Sequence, residues 1–353
     1  MNNYMNRYLK REVNILSIDG GGIRGIIPAL LLAELEKKLA LRKKDLPLCR
    51  AFDLLAGTST GSIIALGLTA PKFDPGYDPK SEEPPRYSKQ PLFTASDLAQ
   101  TYIDRGIEIF PRWIFNQLKT VRQAFTEKYN SGHFYAVLDN MLGPRTVQDA
   151  LTNVLVTSYD LATARPLIIK NRPPRLARKV DDPNFYMRDA IMGSSAAPTF
   201  FEPIQVETVD GEGPHVLIDG SIFANNPSMC AFIEAQKIFP RAKHFRILSL
   251  GTGTRTPSYT YQQVIKWGMV EWMLPSKGVP LASMMNNGQS ECVNYQLQYH
   301  PRVSYSRLNI PLEGCDRSMD NASPENLECL QEKAEQLIET YQPLLDRLAH
   351  ELS

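Results

Sequence analysis

Two glycine-rich turns, each set between a strand-like apolar run and a helix-like one, constrain the fold most. The first is LSIDGGGIRG, residues 16–25, which joins NILSI (14–18) to IIPALLLAELEKKLA (26–40). The second is GTSTG, residues 57–61, which joins AFDLLAG (51–57) to SIIALGLTA (62–70). Strands that alternate with helices in this way predict an α/β fold whose mainly parallel sheet is covered on both faces.

Further apolar runs extend this prediction along the chain. Strands are predicted at 154–160, 166–170, 216–219 and 245–251, with a helix around 96–109. The Pro- and charge-rich stretch 71–91 is predicted to be a surface loop, and an amphipathic helix from Pro324 onward is interrupted at Pro343. We therefore expect one domain with a helical C-terminal region packed on it.

Composition narrows the function classes. Lys plus Arg number 39 against 38 Asp plus Glu, so no global charge argues for a nucleic acid polymer or an anionic membrane. The five cysteines form no C-x-x-C pair, which favours reduced thiols without a disulfide framework. The N-terminus lacks a signal-peptide core, and no run of 18 apolar residues exists, so we expect a cytoplasmic protein.

The GTSTG turn fits the nucleophile-elbow pattern G-x-S-x-G. Such a turn lifts a serine hydroxyl above the carboxyl end of the sheet, with glycines where neighbouring backbone leaves no room for a side chain. Ser59 is therefore the candidate nucleophile, flanked by Gly57 and Gly61. An ordinary turn that caps a helix is the alternative.

The first glycine turn suits either a pyrophosphate or the oxyanion of acyl transfer, because backbone N–H groups at a helix N-terminus attract any anion. Dinucleotide binding also calls for an acid about 20 residues further on, at the end of a second strand. That neighbourhood reads KKLALRKKD, so an oxyanion hole is favoured. Its candidate residues are Gly20, Gly21, Gly22, Ile23, Arg24 and Gly25, in which Arg24 orients an anionic head group, braces the loop or is simply solvated.

A catalytic serine also needs a base. Asp219 ends the apolar run VLID and precedes Gly220 and Ser221, although aspartate before glycine is also common turn chemistry. A desolvated carboxylate with a raised pKa can serve as the base. None of the five histidines lies in a motif-like context, and His244 precedes its predicted strand, at the end opposite to the expected site.

Five blocks of this chain together resemble the patatin-like phospholipases. They are ILSIDGGGIRGIIPALLLAELE, FDLLAGTSTGSIIAL, SSAAPTFFEP (194–203), DGSIFANNP (219–227) and ILSLGTGT (247–254), and they follow the family's order. The resemblance covers about residues 15–254. It implies a three-layer α/β/α sandwich, with a catalytic domain over 13–230 and residues 231–353 as a non-independent remainder that includes the C-terminal helices.

The resemblance also implies a mechanism and a substrate. Ser59 would be the nucleophile, Asp219 its base, and the N–H groups around Gly21 and Gly22 the oxyanion hole, with no cofactor or metal. The family's aspartate motif has Gly or Ala where Ser221 stands, a small residue that should preserve the geometry. The expected partner is a membrane phospholipid or other acyl lipid, met in transient contact with the membrane surface. The segments 267–275 (WGMVEWMLP) and 111–115 (PRWIF) are candidate anchors, with core helices as the alternative.

Three alternatives stay open. The first is an esterase or acyltransferase for soluble esters that uses His244 or His300 as the base of a Ser–His pair. The second is a storage or binding protein with little activity. The third is an antiphage effector switched on by a small-molecule activator, a cyclic nucleotide, for which the sequence has no recognisable ligand motif.

Overall fold

The protein is described here from a computed structural model of the chain. The structure describes residues 10–42, 46–81, 83–110, 132–171, 183–198, 200–211, 213–254, 258–273, 280–316 and 318–353. The strands are β1 (Glu12–Ile18), β2 (Leu54–Thr58), β3 (Pro71–Phe73), β4 (Tyr87–Pro91), β5 (Asn153–Asp160), β6 (Arg165–Lys170), β7 (Ile204–Glu207), β8 (Pro214–Asp219), β9 (His244–Leu250) and β10 (Val303–Leu308).

The helices lie between and after these strands. They are α1 (Ile26–Arg42), α2 (Leu48–Ala51), α3 (Thr60–Thr69), α4 (Ala95–Ile109), α5 (Gly132–Leu142), α6 (Met187–Ser195), α7 (Ser221–Ala224), α8 (Ser228–Ile238), α9 (Tyr261–Val264), α10 (Met269–Met273), α11 (Pro280–Gln298), α12 (Pro324–Thr340) and α13 (Gln342–Leu352). Short 3-10 turns cover Gly22–Gly25 and Val147–Asp149.

One sheet organises the molecule, in the order β10-β9-β1-β2-β5-β8-β7, with β6 paired to β5. The pairings from β10 to β5 are parallel, and those of β5 with β8, β5 with β6, and β7 with β8 are antiparallel. The predicted mainly parallel sheet is confirmed. Because the parallel strands share one direction, the turns after β1 and β2 leave the same edge of the sheet.

Helices cover both faces of this sheet, as its strand sequences require. Alternate residues of a strand point to opposite faces, and in β1 Leu16 and Ile18 belong to one buried cluster while Val13 and Ile15 belong to another. The first cluster includes α1, α3, α4 and the C-terminal helices, and the second includes α8 and α11. This is the three-layer α/β/α arrangement, and α12 and α13 pack on α1.

The C-terminal helix ends and restarts where its sequence dictates. Ser323 caps α12 by accepting a hydrogen bond from the Asn326 N–H (3.3 Å), and Pro324 occupies its first turn. A break at Tyr341 separates α12 from α13, in which Pro343 lies in the first turn, so the predicted interruption is confirmed.

The predicted surface loop at 71–91 is more structured than its composition suggested. Its ends form the antiparallel pair β3–β4, with Pro71 opposite Pro91 and Phe73 opposite Tyr87. Arg145 places its guanidinium over the Phe73 ring at 4.3 Å and donates to the Pro71 carbonyl (2.5 Å). These contacts come from a distant part of the chain, so local composition could not reveal them.

The prediction of reduced thiols is wrong for two cysteines. Cys315 and Cys329 form a disulfide, with their Cα atoms 5.6 Å apart. They belong to a loop and to α12 and are 14 residues apart in sequence, so only the folded chain brings them together. The cysteines therefore do not support the expectation of a cytoplasmic protein.

None of the helices in the described residues is long and apolar enough to cross a membrane.

Candidate active site

Ser59 lies on a strained turn between β2 and α3. Its backbone has φ 53° and ψ −123°, a region that residues other than glycine rarely occupy. A Cβ at Gly57 would overlap the Gly61 carbonyl, and a Cβ at Gly61 would overlap the Ile18 carbonyl. The Ser59 N–H donates to Ser194 Oγ (2.9 Å). The turn has the geometry expected of a nucleophile elbow, and the glycines stand where the backbone leaves no room.

Asp219 lines the same cleft as Ser59 and is carried by β8, which runs antiparallel to β5. It is the last residue of β8 and pairs with Ser158 of β5. Gly220 follows it, and a Cβ there would overlap Thr157. The Asp219 N–H donates to the Ala196 carbonyl (3.0 Å), and its Oδ1 accepts from the Ser221 N–H (2.8 Å). The carboxylate is thereby held at a fixed orientation.

The environment of Asp219 suits a proton acceptor. The residue is only 2% exposed. Burial raises the pKa of its carboxyl to about 6, although hydrogen bonds from the Ser221 N–H, the Ser59 hydroxyl and the Ser221 side chain act in the opposite direction. The Ser59 hydroxyl is thus one of the groups that act on the Asp219 carboxylate, and both residues line the same cleft. A carboxylate with a pKa near neutrality accepts a proton more readily than an exposed one.

The glycine loop, residues 20–25, carries two unengaged N–H groups. The Gly20 N–H donates to the Asn225 carbonyl (3.1 Å) and the Ile23 N–H to the Met319 carbonyl (2.8 Å). Within the part of the chain that the structure describes, the N–H groups of Gly21 and Gly22 donate to no protein acceptor, and both residues line the cleft beside Ser59.

The remaining residues of that loop have other contacts. The Arg24 N–H donates to the Gly21 carbonyl (3.3 Å), and its side-chain Nε donates to the same oxygen (3.1 Å). A Cβ at Gly25 would overlap Thr60 Oγ1, so Gly25 allows close helix packing. Of residues 20–25, the candidate oxyanion donors are therefore the backbone N–H groups of Gly21 and Gly22. Arg24 instead braces the loop.

Residues far along the chain hold this loop from behind. Thr252 Oγ1 donates to the Gly20 carbonyl (2.8 Å). Arg307 forms a two-pronged ion pair with Asp19 (2.8 and 2.5 Å) and donates to Ser249 Oγ (2.9 Å). A bidentate, buried ion pair of this kind fixes direction as well as position. These contacts hold the loop on the side away from the cleft.

The cleft is lined by both apolar and polar side chains, and its space, including the open mouth, is about 610 Å³. The apolar lining residues include Ile63, Phe110, Phe134, Phe200 and Phe201. The polar lining residues include Asn225, Asn286, Asp320, Ser195 and Ser221, together with Ser59 and Asp219. The apolar side chains suit an aliphatic chain, and the polar side chains suit an ester group.

All five histidines lie elsewhere. His244 is the first residue of β9, at the edge opposite to Ser59, and its Nε2 contacts Ser304 Oγ (2.9 Å). His300 precedes β10 at that same edge and packs on Phe232 (4.7 Å). In the part of the chain that the structure describes, no histidine lines the cleft. The arrangement does not bring His244 or His300 to Ser59.

Sequence reasoning missed the residues that act through their backbone or brace others. Met319 uses its carbonyl, so its side chain leaves no signal in the sequence. Asn286 and Asp320 reach the cleft from segments with no motif. Ser194, which accepts the Ser59 N–H, belongs to the SSAAPTFFEP block (194–203). That block was the sequence signal from which its role could have been found.

A parallel α/β sheet that presents a serine on a strand-to-helix turn, beside a buried carboxylate and unengaged N–H groups, is typical of acyl hydrolases. The family model of patatin-like phospholipases matches residues 16–231. The chain belongs to this family, which represents the class of lipid acyl hydrolases.

Plant relatives match over most of the chain. Patatin-like protein 2 of Oryza sativa subsp. indica is 31% identical over 93% of this chain and 84% of its own, and patatin-like protein 3 of Arabidopsis thaliana is 31% identical over 96% and 86%. Patatin-2-Kuras 3 of Solanum tuberosum is 30% identical over 98% and 91%. The crystal structure of VipD from Legionella pneumophila aligns with 94% of this chain and 67% of its own, at 12% identity and a TM-score of 0.34.

Proposed function

We propose that this protein hydrolyses fatty-acyl esters of membrane lipids through an acyl-enzyme on Ser59. One observation carries the proposal: Ser59 and a buried carboxylate, Asp219, whose pKa is raised to about 6, line the same cleft as two unengaged N–H groups. Nucleophile, base and oxyanion donors are the three elements that acyl transfer needs.

Acylation uses all three elements. Ser59 Oγ attacks the ester carbonyl carbon while its proton passes to Asp219. The carbonyl oxygen becomes an oxyanion, which accepts hydrogen bonds from the N–H groups of Gly21 and Gly22. Collapse of the tetrahedral intermediate breaks the bond to the leaving alcohol, and the proton on Asp219 goes to that alcohol oxygen. The acyl group remains esterified to Ser59, and water later releases it as the fatty acid.

A lipid surface is the proposed source of this substrate, and an exposed apolar stripe beside the cleft supports it. The stripe comprises Met269 and Val270 of α10 with Leu281, Met285 and Tyr295 of α11, all solvent-exposed. Asn286, next to Met285, lines the cleft. The described residues of 258–273 and 280–298 include three charged side chains, Lys266, Glu271 and Glu291. A low-charge apolar surface at the mouth suits transient contact with lipid.

The anchor predicted at 267–275 is only partly exposed. Trp267 and Trp272 are half-buried and pack on each other (5.0 Å), whereas Met269 is 84% exposed. Leu274 and Pro275 of that segment, and the whole candidate anchor 111–115, lie outside the described residues. The stripe is thus carried by methionine, valine, leucine and tyrosine more than by tryptophan.

The test is fatty-acid release from mixed phospholipid vesicles, with excess chelator, by wild type, Ser59→Ala and Asp219→Asn. Release by wild type alone is expected. A parallel assay with a soluble short-chain p-nitrophenyl ester separates loss of chemistry from loss of lipid contact. Retained activity in Ser59→Ala would refute the acyl-enzyme, and retained activity in Asp219→Asn would refute Asp219 as base and revive the Ser–His alternative.

A further inference from the structure

Ser195 has a hydroxyl that the fold buries without a partner. The residue ends α6, is 9% exposed and lines the cleft with Ser59 and Asp219. Among the described residues, four buried side-chain atoms lack a hydrogen-bond partner, on Ser81, Tyr87, Asn184 and Ser195. Ser195 is the one of these four that lines the cleft. Leaving a buried hydroxyl unpaired costs about 1–3 kcal/mol, so such a group calls for an explanation.

The two residues beside Ser195 hold the backbones of the proposed catalytic pair. Ser194 Oγ accepts the Ser59 N–H (2.9 Å), and the Ala196 carbonyl accepts the Asp219 N–H (3.0 Å). Consecutive Cα atoms are about 3.8 Å apart, so these two contacts hold the backbone on either side of Ser195 close to the catalytic pair. Its own carbonyl is engaged by the Ala197 N–H (2.8 Å), which orients the peptide further. The hydroxyl is therefore a polar group held in the cleft that Ser59 and Asp219 also line.

Acylation has no step that needs this hydroxyl. The Ser59 proton goes to Asp219, and the oxyanion is bound by Gly21 and Gly22. Deacylation differs because its nucleophile is water, which no covalent bond holds in place. A bound water needs two or more polar partners. Asp219 is one partner, and the described cleft offers the Ser195 hydroxyl as an unengaged second.

We propose that Ser195 positions the water that hydrolyses the acyl-enzyme. The proposal rests on the function proposed above. The water donates one hydrogen to the Asp219 carboxylate and the other to Ser195 Oγ, which leaves a lone pair directed at the acyl carbon. As the water oxygen attacks, its proton passes to Asp219. The tetrahedral intermediate then collapses, Ser59 Oγ takes that proton back, and the fatty acid leaves.

The experiment measures the two half-reactions separately in Ser195→Ala, Ser195→Thr and wild type. Acylation is followed as kcat/KM for p-nitrophenol release from a p-nitrophenyl ester. For deacylation, the acyl-enzyme is formed with the same ester, excess ester is removed on a desalting column, and loss of the adduct on Ser59 is followed by intact mass. Thermal unfolding of each variant checks the fold, and Ser195→Ala should be no less stable than wild type because Ser195 Oγ has no protein partner in the described residues.

Ser195→Ala should lengthen the lifetime of the acyl-enzyme about tenfold, the effect of one lost hydrogen bond, with kcat/KM within twofold of wild type. Ser195→Thr, which keeps the hydroxyl, should restore the lifetime. An unchanged lifetime in Ser195→Ala, or an equal loss in both half-reactions, would overturn the proposal. Ester hydrolysis that persists in Ser59→Ala would instead refute the proposed function, and the Ser195 role with it.

Discussion

Asp219→Asn should abolish activity and yet stabilise the fold. The Asp219 carboxyl is 2% exposed, and burial raises its pKa from 3.8 to about 6. This is a shift of roughly two units, and each unit corresponds to about 1.36 kcal/mol, so keeping the carboxylate ionised in the folded state costs about 3 kcal/mol at neutral pH. Asparagine removes the charge while keeping the shape and an acceptor for the Ser221 N–H.

The direction of the pH dependence of stability follows from the raised pKa of Asp219. Because the pKa is higher in the folded than in the unfolded chain, the folded state takes up the proton first as the pH falls. The contribution of Asp219 to stability is least favourable above pH 6 and improves between about pH 6 and pH 4. The free energy of unfolding of Asp219→Asn should therefore exceed that of wild type most at pH 8. We expect a difference of about 1–2 kcal/mol, because burying the new amide N–H₂ offsets part of the gain. The difference should disappear near pH 4.

Urea unfolding of wild type and Asp219→Asn at pH 8, 6 and 4.5 measures this directly. Asp160→Asn is a matched control, because Asp160 is also 2% exposed. Burial alone would raise the pKa of its carboxyl, but hydrogen bonds from His215, the Ala162 N–H and the Thr163 hydroxyl bring it below the usual value. Asp160→Asn should therefore destabilise at pH 8. An Asp219→Asn protein less stable than wild type at pH 8, or a difference that does not change with pH, would contradict the reasoning.

Three further outcomes are expected. Gly22→Ala should lower fatty-acid release at least about 100-fold, since Gly22 has φ +61° and a Cβ there meets the Met319 carbonyl. Gly211→Ala is the control, because Gly211 has φ +71° but a Cβ there meets nothing within 4 Å. This variant should lose about 1 kcal/mol of unfolding free energy in urea and keep its activity. Met285→Glu should reduce vesicle hydrolysis several-fold and spare a soluble ester, whereas Leu41→Glu, at an 88% exposed site on α1, should change neither assay. Cys315→Ser should lower the free energy of unfolding by about 3 kcal/mol, as dithiothreitol should in wild type, because the disulfide closes a loop with a sequence separation of 14.

The fold could be predicted wherever a signal is local. Glycine turns between apolar runs located β1, β2 and the helices after them, and Pro343 marked the break before α13. The strand β10 and the helix α11 were missed, since α11 buries four residues, Pro280, Ser290, Val293 and Leu297, and leaves apolar side chains exposed. A helix with that distribution has no clear amphipathic pattern, and its packing is set by its neighbours.

The candidate site also has parts that the sequence predicts and parts that it does not. Ser59 and Asp219 could be named as candidates because a nucleophile and a base are residue types at recognisable turns, and the structure places both in one cleft. The family resemblance pointed to the N–H groups around Gly21 and Gly22, but the residues that engage the neighbouring N–H groups of the glycine loop were not predictable from the sequence. The Asn225 and Met319 carbonyls occupy the two neighbouring donors. Backbone carbonyls are common to all residues, so no pattern in the sequence marks them.

The family model ends at residue 231, but the glycine loop is held by residues beyond it. Those residues are Thr252, Arg307 and Met319, on three different segments. Met319 matters most, because its carbonyl occupies the Ile23 N–H and fixes the loop in the conformation that leaves the Gly21 and Gly22 donors unengaged. The last two strands, β9 and β10, also lie in the same sheet as β1. A chain ending at 231 would leave one edge of β1 unpaired and release the loop, so we infer that 13–230 and 231–353 form one folding and catalytic unit.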